Sequence, residues 1–253
     1  MTRGAHGQAA YTRRLDWGLA GALALVADAR PGDVAVVVDV LSFTTTLTVA
    51  AEQGVVVHPY PWHLEGAPAY AAARDATLAA GRREGLADGS VSLSPASFAG
   101  VTGVDRVVLP SPNGSAIAFA LADTGVTVVG ASLRNAPAVG RWLKGRPAAR
   151  VCVVAAGERW PDGELRPAVE DLWGAGAVLA QLGETGLSPE ATAAVAAFRS
   201  VEGRLTDELR ECASGRELVE DGFATDVDVA AAYGVSGVVP VLVGDAFVAG
   251  RDT

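Results

Sequence analysis

The chain alternates short valine-rich runs with alanine-rich helical runs, and this alternation limits the folds open to it. The run Val34–Asp39 (VAVVVD) is apolar at five consecutive positions and ends in a carboxylate, as expected for a strand buried on both faces. Strands that alternate with helices need crossover connections, which produce a largely parallel sheet covered by helices on both faces. We therefore predict an α/β fold of three α/β/α layers, with a mainly parallel or mixed sheet, in a single domain spanning residues 1–253.

The predicted elements follow this alternation, with residues 81–103 expected to be mostly irregular. Strands are predicted at Val34–Asp39, Val55–His58, Arg106–Leu109, Val126–Gly130, Arg150–Ala155 and Val238–Val243. Helices are predicted at Thr44–Gln53, Ala67–Ala80, Ser115–Ala122, Ala136–Leu143, Val169–Leu182, Pro189–Ser200, Leu205–Ser214 and Asp226–Tyr233.

Charge and cysteine content exclude several classes of protein. With 20 basic against 29 acidic residues the net charge is −9, so no basic surface is available for nucleic acid. Two cysteines are too few for a disulfide scaffold, and no run reaches the ~18–20 apolar residues that span a bilayer. The apolar segment Trp17–Ala27 follows two arginines as in a signal peptide, but a native helix explains it as well. We expect a cytoplasmic protein with no nucleic-acid or membrane partner, and the sequence leaves open whether it forms a homo-oligomer.

The loop after the first predicted strand is rich in polar residues. Asp39 ends the strand, and Ser42, Thr44, Thr45 and Thr46 surround the predicted start of a helix. Helix N-termini bind anions such as phosphate through free N–H groups, and ligands of open α/β sheets bind beyond the carboxyl ends of the strands. The loop is therefore a candidate phosphate site, in which Asp39 would bind Mg²⁺ or act as a nucleophile. The structural alternative is that the hydroxyls are ordinary helix caps.

Two further loops contain the only asparagines of the chain, Asn113 and Asn135. Asn113-Gly114 predicts a tight turn, and the N–H groups before Ser115 together with the amide would form an anion cradle. Arg134 precedes Asn135, and a guanidinium suits bidentate binding of carboxylate, sulfonate or phosphate. The alternatives are an ordinary turn and a helix N-cap beside a solvent-facing arginine.

A fourth region combines Glu158 and Arg159 with the acidic pair Glu170 and Asp171 at a predicted helix start. Paired carboxylates suit Mg²⁺, which prefers oxygen ligands and leaves coordination positions for a substrate phosphate. Acidic residues in a first helical turn are also favoured by the helix dipole alone, so a purely structural interpretation stays open.

Taken in order, these loops resemble the 2-phosphosulfolactate phosphatase family, Mg²⁺-dependent enzymes linked to coenzyme M biosynthesis. The resemblance covers about residues 34–245. The matching motifs are VVVDVLSFTTT at Val36–Thr46, LSPAS at Leu93–Ser97, SPNGS at Ser111–Ser115, ASLRNA at Ala131–Ala136, AAGE at Ala155–Glu158, VEDLWGAGA at Val169–Ala177, GRELVEDGFATDVDVAA at Gly215–Ala231 and VVPVL at Val238–Leu242.

The resemblance implies hydrolysis of the phosphate ester of a small anionic 2-hydroxy acid, with Mg²⁺ as cofactor. For 2-phospho-3-sulfolactate, the reaction with water would yield 3-sulfolactate and phosphate. The positions that the resemblance places in or near the site are Asp39, Asn113, Gly114, Glu158, Glu170 and Asp171.

Residue roles are assigned here from side-chain chemistry. Asp39 with Glu170 or Asp171 is predicted to hold Mg²⁺. Glu158 would position the attacking water or protonate the leaving oxygen, and Asn113 would orient the phosphate. The predicted substrate-binding residues are Ser42, Thr44, Thr45, Thr46, Gly114, Ser115, Arg134, Asn135 and Arg159.

Two residues depart from the family pattern. Family members commonly carry Arg where this chain has Ser42, and Asn where it has Leu93. Loss of an arginine removes a bidentate anion clamp, which Arg134 or Arg159 would have to replace. The departure motivates an alternative function, an anion- or metabolite-binding protein of the same fold with altered or lost hydrolase activity.

Overall fold

A computed structural model describes residues 8–62, 65–146 and 149–250 of the chain. Within these ranges nine strands form one sheet, and two short strands form a separate hairpin. The strands are β1 (Arg13–Trp17), β2 (Val34–Val38), β3 (Val56–Pro61), β4 (Thr77–Leu78), β5 (Arg106–Ser111), β6 (Thr127–Ala131), β7 (Val151–Ala155), β8 (Glu158–Arg159), β9 (Leu165–Arg166), β10 (Val239–Val243) and β11 (Ala246–Gly250).

Helices connect most of the strands and cover the sheet. Short 3₁₀ segments lie at Pro95–Phe98, Ala122–Thr124 and Glu202–Arg204. The α-helices are α1 (Gly18–Val26), α2 (Phe43–Glu52), α3 (Ala67–Ala72), α4 (Arg82–Asp88), α5 (Gly114–Leu121), α6 (Ala136–Lys144), α7 (Val169–Gln181), α8 (Pro189–Val201), α9 (Leu205–Glu211), α10 (Ala213–Glu220) and α11 (Ala224–Ala231). None of these described helices is long and apolar enough to cross a membrane.

The large sheet is mixed and mainly parallel, as predicted. Its strand order is β1-β7-β2-β6-β10-β11-β3-β5-β4. Five neighbouring pairs are parallel, and the three antiparallel pairs all involve β10 or β11. The β10–β11 hairpin therefore joins two parallel halves. The three antiparallel steps make β3 and β5 run opposite to β2, and the loops after β2 and β5 nevertheless meet through the hydrogen bond from Gly114 N–H to Asp39.

The sheet is the middle of three layers. All five residues of β2 are buried, with Val34, Val36 and Val38 packing into one core and Ala35 and Val37 into the other. A valine-rich strand with no polar position thus contributes to both cores at once, because successive side chains point to opposite faces. This arrangement confirms the predicted three-layer α/β/α fold.

Several parts of the chain differ from the predicted elements, among them α10 and β11, which were not predicted. β1 precedes the apolar segment, which forms α1, and Arg14 is buried with its guanidinium against Asp28; the segment is thus an integral part of the fold. The helix predicted at Ala67–Ala80 ends at Ala72, since Asp75 has a φ of 50° and the chain then enters β4. α4 forms within the supposedly irregular residues 81–103.

Candidate active site

Asp39 connects the N-termini of two helices. It follows β2 and is buried. Its Oδ1 accepts a hydrogen bond from the Phe43 backbone N–H at the start of α2 (3.1 Å), and its Oδ2 accepts one from Gly114 N–H at the start of α5 (2.8 Å). Both helix dipoles therefore favour a negative charge at this carboxylate.

Gly114 is required for this close approach. A Cβ atom on Gly114 would lie 2.6 Å from Asp39 Oδ2 and 2.8 Å from the Phe43 ring. Such distances are well inside van der Waals contact, so any larger residue would displace the Asp39 carboxylate. The Asn-Gly sequence thus acts here through the missing side chain, and not only through the turn that it predicts.

Glu158 and Asn113 form the second part of the site. Glu158 lies in β8, just after β7, and its Oε2 accepts a hydrogen bond of 2.8 Å from Asn113 Nδ2. Burial and the nearby charge of Asp39 raise the pKa of Glu158 to about 8. Burial also raises the pKa of Asp39 to about 6, against the lowering effect of its two backbone hydrogen bonds. The pKa values of both carboxyl groups are thus raised toward neutral pH, as is common at functional sites.

Asp171 and Glu170 at the start of α7 have different surroundings. Asp171 accepts hydrogen bonds from the backbone N–H groups of Val40 (2.7 Å) and Gly157 (2.8 Å), one on each of its oxygens. It therefore ties together the loops after β2 and β7. Glu170 is also buried, and its negative charge raises the pKa of both Asp39 and Glu158.

The hydroxyls expected to bind phosphate are bonded to protein carbonyls instead. Thr44, Thr45 and Thr46 are fully buried, and their Oγ1 atoms donate to the carbonyls of Asp39, Val40 and Leu93 at 2.7 Å. Ser115 Oγ is likewise surrounded by backbone groups of β3 and β5. All four hydroxyls thus have backbone partners inside the core, and their role in binding phosphate stays a prediction.

Arg134 and Asn135 also have structural partners. Arg134 pairs with Glu52 and donates to the carbonyl of Val229 in α11. The Asn135 side chain is fully buried and holds backbone groups of three separate residues. Asn135 stands at the N-cap position of α6, but its side chain makes no hydrogen bond to that helix, and Arg134 is mostly buried, so the alternative of a helix cap beside a solvent-facing arginine does not describe this loop either. Anion binding by these two residues stays a prediction.

Arg159 remains close to the site, although its guanidinium bonds a surface carbonyl. Its Nη1 donates to the Gly163 carbonyl at 3.0 Å, within the β8–β9 hairpin. Together with Asn113 and Glu158, Arg159 lines a cavity of about 400 Å³ whose remaining walls are mostly apolar side chains of α1 and α5. Arg159 therefore flanks the acidic groups from the solvent side.

Arg82, in α4, is a site residue that the sequence did not reveal. Its Nη2 donates to Ser42 Oγ at 2.7 Å, and its Nε lies 3.9 Å from Asp226 Oδ2. Burial lowers the pKa of Arg82, while the charges of Asp226, Asp39 and Glu158 act in the opposite direction. The surrounding residues Gly81-Arg-Arg-Glu match no motif, so no sequence signal distinguished Arg82 from a surface arginine.

The acidic residues fit a shared Mg²⁺ site better than a closed one. Among the described residues, no three His, Cys, Asp or Glu side chains are grouped as a complete metal site. Mg²⁺, however, usually binds through one or two carboxylates, water and substrate phosphate. Asp39, Glu158 and Glu170 provide hard oxygen ligands. The charge of Glu170 raises the pKa of Asp39 and of Glu158, and the charge of Asp39 raises the pKa of Glu158. Such effects are expected of clustered negative charges that a cation would stabilise.

Comparisons with known proteins identify the family of this chain. A family model described as 2-phosphosulpholactate phosphatase matches residues 23–245. A Deinococcus radiodurans protein named probable 2-phosphosulfolactate phosphatase is 35% identical over 87% of this chain and 91% of its own length. Relatives with the same name from Thermus thermophilus and Gloeobacter violaceus are 33% and 32% identical, over 84% and 85% of this chain and 89% and 90% of their own. These matches confirm the predicted resemblance and the enzyme class, a phosphatase acting on a phosphate monoester. The chain belongs to the 2-phosphosulpholactate phosphatase family.

Proposed function

We propose that this phosphatase hydrolyses the phosphate ester of a small anionic 2-hydroxy acid in a Mg²⁺-dependent reaction. The substrate would resemble 2-phospho-3-sulfolactate, and the products would be 3-sulfolactate and inorganic phosphate. The observation that supports this proposal is the convergence of the loops after β2, β5 and β7 on one group of acidic residues, Asp39, Glu158 and Glu170, with Asn113 beside them.

Asp39 and Glu170 are the residues that would hold Mg²⁺ in this proposal. Asp171 accepts one backbone N–H on each of its oxygens, as Asp39 does, and it stays the alternative to Glu170 as the second ligand. When bound, the ion would neutralise charge that develops on the phosphoryl oxygens. Asp39 remains anchored by two helix N-termini, which would hold its carboxylate in a constant orientation.

Glu158 would donate a proton to the leaving group. With a pKa near 8 it carries a proton at neutral pH, and it can transfer this proton to the ester oxygen as the P–O bond breaks and water adds to phosphorus. The two protons of the added water go to the released phosphate, and one of them can return to Glu158. Asn113 fixes the orientation of Glu158 through Nδ2, and its amide has a second N–H that can reach a phosphoryl oxygen.

The proposal is tested by phosphate release from 2-phospholactate and 2-phospho-3-sulfolactate, with Mg²⁺ and with EDTA. We expect turnover to require the metal, and Asp39→Asn to lower it at least 100-fold. Asp162→Asn in the exposed β8–β9 loop is the matched control and should keep full activity. Undiminished turnover in EDTA would reject the metal role, and full activity of Asp39→Asn would reject this site.

The second candidate function is binding of the same anions without hydrolysis. It is favoured by Ser42, which replaces an arginine that family members commonly carry. Calorimetric binding of 2-phospholactate without any release of phosphate, in the presence of Mg²⁺, would support this alternative over the phosphatase.

A further inference from the structure

We infer that Arg82 binds the second anionic group of the substrate, the carboxylate or sulfonate that lies away from the phosphate. This inference rests on the proposed function, because it assigns the other end of the proposed substrate. It concerns a residue from α4, a helix outside the loops that hold the acidic cluster.

The Arg82 guanidinium is buried without a full set of partners. About 16% of its side chain is exposed, and its only hydrogen bond among the described residues goes to the neutral hydroxyl of Ser42. The nearby Asp226 oxygen is too distant for a hydrogen bond, and both that oxygen and Arg82 Nε lack a hydrogen-bond partner in the described structure. A guanidinium offers five N–H donors, so this buried cation has free donors for a ligand. Leaving such donors unsatisfied is costly, which favours completion of the site by an anion.

Arg82 also lies in the right place. It lines a cavity of about 260 Å³ that Glu158 lines as well, so one small molecule can contact both residues. On its other side Arg82 lines a second cavity of about 300 Å³, bordered mostly by small and hydroxyl-bearing residues. Arg82 therefore borders both open spaces, and Glu158 borders one of them.

The charges around Arg82 favour a singly charged anion over a doubly charged one. Besides its burial, Arg82 lies near the charges of Asp226, Asp39 and Glu217, so its positive charge is partly balanced by carboxylates. A dianionic phosphate would be repelled there unless a metal accompanied it, whereas a single-charged carboxylate or sulfonate can form a bidentate pair with the planar guanidinium. The phosphate end is thus assigned to Asp39 and Glu158, and the tail to Arg82.

Ser42 positions this guanidinium. Its small side chain leaves room for Arg82 to reach the loop after β2, and its Oγ accepts the 2.7 Å hydrogen bond. An arginine from α4 thereby brings a guanidinium to the loop position where family members commonly carry one. Arg134 and Arg159, the replacements considered from sequence, are bonded elsewhere.

The test compares two esters that differ only in the tail. The substrates are 2-phospholactate and isopropyl phosphate, which has the same branched carbon but no carboxylate. We expect Arg82→Gln to lower kcat/KM for 2-phospholactate about 100-fold, mainly through KM, and that for isopropyl phosphate less than threefold. Arg199→Gln is the matched control, because Arg199 is an exposed arginine of α8 that pairs with Glu184 and lines neither cavity beside Arg82. Equal losses for both esters, or no loss for 2-phospholactate, would overturn the inference.

Binding measurements separate this inference from the proposed function. In calorimetry, Arg82→Gln should weaken binding of 2-phospholactate at least 30-fold and leave inorganic phosphate within threefold, even if no hydrolysis occurs. If the wild type binds 2-phospholactate but releases no phosphate, the proposed function fails and the role of Arg82 stands. If the wild type hydrolyses both esters with equal kcat/KM, the phosphatase stands and the tail site is refuted.

Discussion

Replacement of Glu158 by Gln is expected to stabilise the protein at alkaline pH while it abolishes proton transfer. In the folded state the pKa of Glu158 is about 8, against an ordinary value of 4.5, because the carboxyl group is buried near Asp39. Below pH 4.5 the group is protonated in both the folded and the unfolded state and has no effect on the balance. Between pH 4.5 and 8 the unfolded chain releases the proton that the folded protein retains, so the free energy of unfolding falls as pH rises.

The size of this effect follows from the same values. At 1.36 kcal/mol per pKa unit, a rise from 4.5 to about 8 corresponds to a loss of about 5 kcal/mol above pH 8. Glu158 retains partial contact with solvent, and screening reduces that figure, so we expect about 2–3 kcal/mol. Glutamine has a similar shape and still accepts the hydrogen bond from Asn113, so Glu158→Gln removes the ionisation with little change in packing.

The assay is denaturant unfolding of wild type and variant at pH 5 and pH 8.5, in EDTA so that no divalent ion alters the carboxylates. The stability advantage of Glu158→Gln should grow by about 2 kcal/mol between the two pH values. Glu164→Gln, on the exposed loop of the same hairpin, serves as the control and should show no such growth. A difference that does not change with pH would refute the reasoning that Glu158 is neutral in the folded protein at pH 7.

The remaining predictions concern Gly114 and the two asparagines. Gly114→Ala should displace Asp39, lower activity more than tenfold and destabilise the protein by about 1–3 kcal/mol. The control is Gly203→Ala, since nothing lies within 4 Å of a Cβ atom added there. Full activity of Gly114→Ala would show that the contact with Asp39 does not matter. Asn135→Ala should reduce the free energy of unfolding by about 3 kcal/mol, because three backbone groups lose their partner, with activity preserved per folded molecule. Asn113→Ala should lower activity at least tenfold at a stability loss near 1 kcal/mol, and equal losses of activity and stability would make it a turn residue instead.

The contrast between the two asparagines shows how far residue type can predict a site. Both are rare in this chain and both follow strands, so the sequence placed them in equivalent positions. The structure separates them, because Asn135 turns its amide toward the backbone of its own loop and β6, whereas Asn113 reaches Glu158 across the cleft. Which group a flexible polar side chain bonds depends on neighbours that are distant in sequence.

Arg82 lies in the site, although no sequence pattern indicated it. Its approach to Ser42 joins residues 40 positions apart, and nothing in the pattern around Gly81 indicates a buried cation. The short helix α4 was missed for a related reason, since seven residues with several glycines nearby produce no clear helical periodicity. Tertiary packing supplies the stability that such a segment lacks by itself.

By itself, the sequence determined the order of most strands and helices and the loops in which the polar residues lie, because hydrophobic periodicity and strand-end chemistry are local properties. The tertiary structure alone decided which polar groups remain free for chemistry. Thr46 Oγ1 is bonded to the carbonyl of Leu93, Asp171 ties the loops of Val40 and Gly157 together, and Arg82 is brought beside Ser42. Hydrogen bonds between segments distant in sequence consume donors and acceptors that appear equally available in the sequence, and this physical competition defines the site.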